Sequence, residues 1–273
     1  MNVMDKYSLK GKTVLVTGGA GLLGRQFTKA LGEAGASVLV ADLDLERSEI
    51  HSAALSDLGI EAHPVYVDVT QKSSVEQMVE TALEKFGHLD VLVNSAALDP
   101  KFDKEHIDQQ NNNAFEDYSL EAWNQTIDVN LTGVFLSCQA AVRPMLKQGG
   151  GIIINISSIY GINGPDQSIY AGVDGKAKYK PIDYSVTKAG VVGLTKFLAA
   201  YYAGTEIRVN TLTLGGVINQ HQEHFLKNYS IKTMLGRMAQ LDDIDAAIVF
   251  LASDASKYMT GANLVIDGGY SAW

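Results

Sequence analysis

A single cysteine in 273 residues leaves nothing to pair with, so neither a disulfide framework nor a cysteine-based metal site is available. That residue, Cys138, sits in the apolar helical run Val134-Phe-Leu-Ser-Cys-Gln-Ala-Ala-Val142, where a thiol behaves as a small buried hydrophobe. Positive charge is in the minority: 22 Lys and Arg stand against 31 Asp and Glu, a formal net charge of −9. Phosphate-backbone binding needs clustered cations, so nucleic acid is excluded as a general partner. No apolar run approaches the ~18 residues of a membrane span, and the stretch Met1–Lys10 has no apolar signal core. A soluble, cytoplasmic protein is the expectation. No Pro/Gly/Ser-rich linker and no solenoid-length repeat breaks the chain, so residues 1–273 read as one domain.

What the chain does have begins with Lys12-Thr-Val-Leu-Val-Thr17, a β-branched apolar run that stops at Gly18-Gly-Ala-Gly-Leu-Leu-Gly24. The helical pattern Phe27, Ala30, Leu31, Ala34 follows, and then a second apolar run, Ser37–Ala41, ends at Asp42. Strand, glycine loop, helix and strand make the unit that binds a dinucleotide, with backbone N–H groups meeting a pyrophosphate at a helix N-terminus. An acid at the end of the second strand accepts hydrogen bonds from ribose hydroxyls and repels a 2′-phosphate. Asp42 therefore argues for NAD over NADP.

The alternation continues through helix 45–58, strand 62–67, helix 73–86, strand 89–93, a long helical region at about 120–147 and strand 151–156. A helix headed by Tyr184, strand 207–212 and a short strand 264–267 complete it. Nearly continuous apolar strands alternating with helices predict an α/β fold, a doubly wound parallel sheet covered on both faces. Tyr184-Ser-Val-Thr-Lys188 places a phenol and an ammonium at i and i+4, on one helix face. A nearby cation favours phenolate, so such a pair can exchange a proton with an alcohol or carbonyl oxygen near neutral pH. His221 and His224 stand at i, i+3 without a third ligand nearby in sequence, and no metal site is read from them.

With these pieces in order, the chain resembles the short-chain dehydrogenase/reductase family over nearly its full length. The matching segments are Thr17–Gly24, Asp68-Val69, Asn94-Ser-Ala-Ala97, Asp128-Val-Asn130, Asn155-Ile-Ser-Ser158, Tyr184–Lys188, Arg208-Val-Asn210 and Asp267-Gly-Gly269. The resemblance implies a catalytic set of Asn130, Ser158, Tyr184 and Lys188. Tyr184 would be the acid/base, Lys188 would lower its pKa and hold the nicotinamide ribose, Ser158 would bind the reacting oxygen, and Asn130 would fix a proton-relaying water. It also implies cofactor contacts from Gly18, Gly21, Leu22, Leu23, Gly24, Asp68, Val69, Asn94, Ala96 and Val217, beside Asp42, Tyr184 and Lys188.

Three features depart from the family pattern. The glycines are spaced Thr-Gly-x-x-Gly-x-x-Gly (Thr17, Gly18, Gly21, Gly24), as in the family's longer sugar-nucleotide-modifying branch. Leu214-Gly-Gly-Val217 stands where Pro-Gly is usual. Ser158 and Tyr184 lie 26 positions apart, about twice the usual interval, so the segment 163–183 must loop near the site. Polar excursions at 98–117 and 218–232 accompany it. Their cations, among them Lys101, Lys104, His106, Lys176, Lys178, Lys180 and Lys227, point to a polar, anionic substrate such as a sugar phosphate. Ser158-Ile-Tyr-Gly161 with its long insert is also similar, more loosely, to oxidoreductases of flagellin modification and nonulosonate-sugar biosynthesis.

The expected activity is thus NAD-dependent hydride transfer at a secondary alcohol or ketone of a sugar. The alternatives are a sugar-nucleotide dehydratase or epimerase with tightly held NAD, and a dinucleotide-binding protein without turnover. By resemblance, a homodimer or homotetramer is expected.

Overall fold

Short runs of Val, Ile and Leu form the strands β1 (Thr13–Thr17), β2 (Ser37–Asp42), β3 (Ala62–Tyr66), β4 (Val91–Asn94), β5 (Gly151–Ser158), β6 (Ile207–Leu214) and β7 (Asn263–Ile266). In the computed structural model, which describes residues 2–99, 113–170 and 179–273, they pair in parallel in the order β3-β2-β1-β4-β5-β6-β7. The helices are α1 (Leu22–Glu33), α2 (Leu45–Asp57), α3 (Lys72–Phe86), α4 (Leu120–Ile127), α5 (Gly133–Gln148), α6 (Ile182–Tyr201), α7 (Glu223–Ser230) and α8 (Asp245–Ala252).

Side chains alternate across the sheet and build a core on each face. Val14, Val16, Val38, Val93 and Ile154 pack with Phe27 and Leu31 of α1 and with Ile248 and Leu251 of α8. Leu15, Leu39, Leu92, Ile153 and Val209 turn the other way, onto Met78 of α3, Met145 of α5 and Val191 of α6. Burial on both faces is why these strands read as unbroken apolar runs. Each fully buried Phe or Leu contributes about 1.5–3 kcal/mol.

The expected elements are all present, with three shifts that have tertiary causes. β5 and β6 run further than their apolar stretches because they pair to their ends, Ser157 against Thr213 and Ser158 against Leu214. Ser158 is therefore the last residue of β5 rather than lying two residues beyond the strand. The long helical region is interrupted by a π turn, Asp128–Thr132, between α4 and α5. β4 begins at Val91 because Asp90 faces the sheet's lower edge, its carboxylate accepting from Lys12 Nζ at 3.0 Å and Thr13 N at 2.9 Å.

Arg208-Val-Asn210 ties the last helix to the sheet. Arg208 donates to the carbonyls of Ser256 (3.0 Å), Ser253 (3.1 Å) and Met259 (3.2 Å), while Asn210 donates to Met259 O at 2.8 Å. The guanidinium fork holds its donors in fixed directions and so reaches several carbonyls on well-separated residues at once. Arg208→Lys should therefore lower stability by about 2–3 kcal/mol, read as a lower urea midpoint; an unchanged midpoint would refute this role.

Candidate active site

Strand order reverses direction between β1 and β4, and a crevice opens there at the carboxyl ends of the strands. It is a continuous cleft of about 750 Å³. One lobe is lined by Gly18, Gly21, Leu22, Leu23, Gly24, Asp42, Asp68, Val69 and Ala96, the other by Ser158, Tyr184, Lys188 and Val217. The sequence-predicted residues thus converge on one cavity, with two exceptions described below.

The glycine loop leads from β1 into α1, whose first turn begins at Leu22. Gly18 has a positive φ of 65°, and a Cβ there would sit 2.7 Å from Ala96 Cα. Across that close approach the Thr17 hydroxyl accepts from the N–H groups of Ser95 (3.2 Å) and Ala96 (3.3 Å), clasping the loop after β4 to the end of β1. The result is a cradle open to a helix N-terminus, which fits a pyrophosphate. Asp42 closes the lobe at the end of β2, accepting from Ala20 N at 3.0 Å and Asp44 N at 3.2 Å. Arg25 and Arg47 line the same lobe and gave no spacing signal in the sequence. Asp68 is held by Thr70, whose hydroxyl donates at 2.7 Å.

Asn94 and Asn130 do not line the cleft. Asn94 is the last residue of β4 and points into the sheet, donating to Asn155 Oδ1 at 2.8 Å and to Cys138 Sγ at 3.3 Å. It joins β4 to β5 rather than presenting its amide to the cofactor lobe. Buried Cys138 is pushed up to about 12 by desolvation, with the Asn94 hydrogen bond opposing, so the thiol is inert. Asn130 occupies the π turn and is fully buried. Its amide brackets the backbone of Leu98, accepting from Leu98 N at 2.7 Å and donating to Leu98 O at 3.0 Å. In this geometry Asn130 shapes the loop after β4.

Tyr184 lies in the first turn of α6, next to buried Asp183, which accepts from Tyr118 Oη at 2.6 Å. Lys188, one turn on, is buried and donates to Ile156 O at 3.1 Å, its Nζ 5.7 Å from the Tyr184 ring centroid. Burial lowers its pKa to about 8, with Asp99 opposing. The i, i+4 pairing predicted a lowered phenol pKa. The structure gives the reverse: desolvation first, then the Asp99 carboxylate, push Tyr184 above the usual phenol range, and the hydrogen bond with Ser158 only partly offsets them.

The extra residues before α6 do reach the site. Tyr170 donates to Tyr160 Oη at 2.8 Å, and Lys180 donates to Asp99 Oδ1 at 2.8 Å. Tyr160, Tyr170, Phe225 and Tyr229 make an aromatic wall, with Tyr170 and Phe225 centroids 5.5 Å apart. Asp99 had no local signal, lying in an irregular polar stretch. Lys101, Lys104, His106, Lys176 and Lys178 lie outside the described residues. Among the described residues, no cluster of three or more His, Cys, Asp or Glu could hold a metal ion.

Leu214-Gly-Gly-Val217 is fixed without proline. Gly215 N donates to Ile266 O at 2.9 Å, Gly216 O accepts from Ala239 N at 3.0 Å, and Gly216 N donates to the Tyr229 hydroxyl. Backbone and phenol contacts supply the rigidity that Pro-Gly would otherwise give.

Comparison with known proteins agrees with this geometry. A family model described as enoyl-(acyl carrier protein) reductase matches residues 19–271. A 3-alpha-(or 20-beta)-hydroxysteroid dehydrogenase of Mycobacterium tuberculosis is 38% identical over 261 residues, covering 96% of this chain and 90% of that protein. A D-threitol dehydrogenase of Mycolicibacterium smegmatis is 36% identical over 278 residues, covering 99% and 97%. The crystal structure of a gluconate 5-dehydrogenase from Burkholderia cenocepacia in complex with NADP and tartrate superposes with TM-score 0.85 at 28% identity, covering both chains completely. The chain belongs to the short-chain dehydrogenase/reductase family. It is an oxidoreductase of alcohols and ketones built on a nicotinamide dinucleotide fold.

Proposed function

We propose that this protein is an NAD-dependent dehydrogenase of a neutral sugar or polyol, oxidising a secondary alcohol or reducing the corresponding ketone. The observation that carries the reading is the single cleft in which the glycine loop and Asp42 share a cavity with Ser158, Tyr184 and Lys188. Bound nicotinamide would supply hydride acceptance. The chain's own residues do the rest: Tyr184 takes the hydroxyl proton, Ser158 holds the reacting oxygen, and Lys188 holds the ribose beside them. Asn130 supports this set through Leu98.

Two features of the substrate lobe favour a carbohydrate-like alcohol. The aromatic wall covers C–H faces, and the Asp99 carboxylate beside it is paired with buried Lys180 at 2.8 Å. That pair is neutral overall, which favours a neutral polyol over the sugar phosphate suggested by the loop lysines. The D-threitol dehydrogenase similarity points the same way. A steroid-like alcohol, the class named in the hydroxysteroid dehydrogenase relative, draws on the aromatic wall alone. A panel of polyols, sugars, sugar phosphates and alicyclic alcohols separates these readings. NAD-linked turnover confined to polyols and sugars supports the proposal, and turnover confined to steroids overturns it.

Asp42 carries the cofactor preference. A 2′-phosphate would meet its carboxylate, whereas Arg25 and Arg47 nearby would attract one. Asp42→Ala should lower the NAD/NADP ratio of kcat/KM by about tenfold or more, the size of one lost charge-assisted hydrogen bond plus relieved repulsion. A wild type that already prefers NADP would contradict the NAD reading; the NADP-bound gluconate 5-dehydrogenase makes that comparison direct.

We further propose a cytoplasmic homodimer or homotetramer. No helix among the described residues is long and apolar enough to cross a membrane. Exposed Leu120, Phe135, Phe197 and Tyr201 on α4, α5 and α6 offer an apolar face to a second copy. A monomer by light scattering would refute the assembly.

A further inference from the structure

Lys180 lines the cleft and belongs to none of the family's motifs. It stands on the segment entering α6, immediately before Pro181, and Gln167 holds it there by accepting from Lys180 N at 2.8 Å. Its side chain is 1% exposed, and its ammonium donates to Asp99 Oδ1 at 2.8 Å across 81 residues of sequence. The same ammonium sits over the face of the Tyr184 ring, 3.7 Å from its centroid, closer than Lys188 at 5.7 Å. Tyr160 flanks it on the far side at 5.9 Å.

We propose that Lys180 and Asp99 are positioning residues that set the proton affinity of Tyr184, the Lys180 ammonium favouring the phenolate and the Asp99 carboxylate opposing it. The proposal deepens the dehydrogenase reading and rests on it for the role of Tyr184. A cation against an aromatic face is attracted to the ring, and more strongly once the ring carries negative charge; burial of the ammonium strengthens the effect. Asp99 opposes it because its carboxylate, 2.8 Å from that ammonium, cancels part of the positive charge the ring meets, while Gln167 holds the Lys180 backbone in place without it. The other groups facing Tyr184 are Lys188 on its own helix, Ser158 at the end of β5, and Tyr229 on α7. Lys188 is turned to Ile156 O, the neighbouring Asp183 carboxylate is taken up by Tyr118 Oη and the Tyr184 N–H, and Ser158 and Tyr229 are hydroxyls, so the charges set against the ring itself are those of Lys180 and Asp99.

The arrangement predicts opposite signs for two substitutions in one ion pair, which a merely structural role does not. In the pH profile of kcat/KM for alcohol oxidation, Lys180→Gln should move the ascending limb upward by about one unit or more, and Asp99→Asn should move it downward. On the acidic limb, one unit is a tenfold loss for the first and a gain for the second. Lys180→Arg, which keeps the charge over the ring, should hold the limb near its wild-type position. An unmoved limb with a uniform loss at all pH values, or shifts of the same sign, would overturn the proposal.

A second readout does not depend on turnover. With NAD bound, the [13Cζ]tyrosine resonance of Tyr184, assigned by its absence in Tyr184→Phe, should titrate in the order Asp99→Asn, wild type, Lys180→Gln. Absence of wild-type turnover would count against the dehydrogenase reading, and the titration order would still decide this one. Should Lys180→Gln fail to fold, Asp99→Asn must still titrate lower and Lys180→Arg must stay in place for the proposal to stand.

Discussion

Tyr184→Phe should reduce turnover in both directions by about 10²–10⁴, the usual worth of a positioned general acid/base. Binding of NAD should stay within about threefold of wild type. The substitution removes one hydroxyl and leaves the ring, which still packs beneath Lys180 and beside Lys188. Nothing in the glycine lobe changes, because Gly18–Gly24 and Asp42 are held by contacts of their own. Isothermal titration with NAD and an assay of reduced nicotinamide separate the two effects. Retained turnover would remove Tyr184 from the chemistry; lost NAD binding would mean that the hydroxyl serves the cofactor lobe instead. The pH dependence has a definite sign. Oxidation needs Tyr184 able to accept a proton, and its pKa is raised by burial and Asp99, so the oxidation rate should climb with pH through the neutral range. Ketone reduction needs the protonated phenol and should not fall over that range.

Gly24→Ala is the second large effect. A Cβ at Gly24 would lie 2.0 Å from the Gly18 carbonyl oxygen and 2.7 Å from Gly19 Cα. These are backbone atoms of the loop that meets the pyrophosphate, so no side chain can swing away to relieve the overlap. The loop must spread, and the N–H groups at the start of α1 lose their aim. NAD affinity should fall at least about a hundredfold, as for the loss of two charge-assisted hydrogen bonds, with kcat/KM falling in step. Unchanged affinity in a folded Gly24→Ala variant would show that the loop does not cradle the dinucleotide. Gly21 meets only Gly18 O, at 3.1 Å, and Gly21→Ala should be milder.

The parts of the site that were legible in the sequence are those encoded by short spacings. Glycines after a β-branched run, an acid at the end of the next strand, and Tyr and Lys one helical turn apart each lie within a few residues of one another. These residues line one cleft. What was not legible depends on contacts between distant segments. The last residues of β5 become strand by pairing with β6, whose own end pairs with both β5 and β7, and this moves Ser158 into the sheet. Helical periodicity did not show the π turn at Asn130, because a single turn of five residues is too short to set a period of its own. Asn94 carries a cofactor-site motif, yet its amide faces Asn155 and Cys138 within the sheet. Asp99 and Lys180 meet across two irregular stretches, and no pattern in either announces the other.

The central claim is that this cleft moves hydride between a polar secondary alcohol and nicotinamide. Deuterium placed on the carbinol carbon of a polyol substrate tests it most directly, with NAD present in stoichiometric amount and the products read by NMR. The account predicts one deuterium on nicotinamide C4 for each ketone formed, with the transfer slowed by about 10²–10⁴ in Tyr184→Phe. Conversion of substrate with the label returned to it, and no net reduced nicotinamide, would contradict the account and establish internal redox of the dehydratase or epimerase kind.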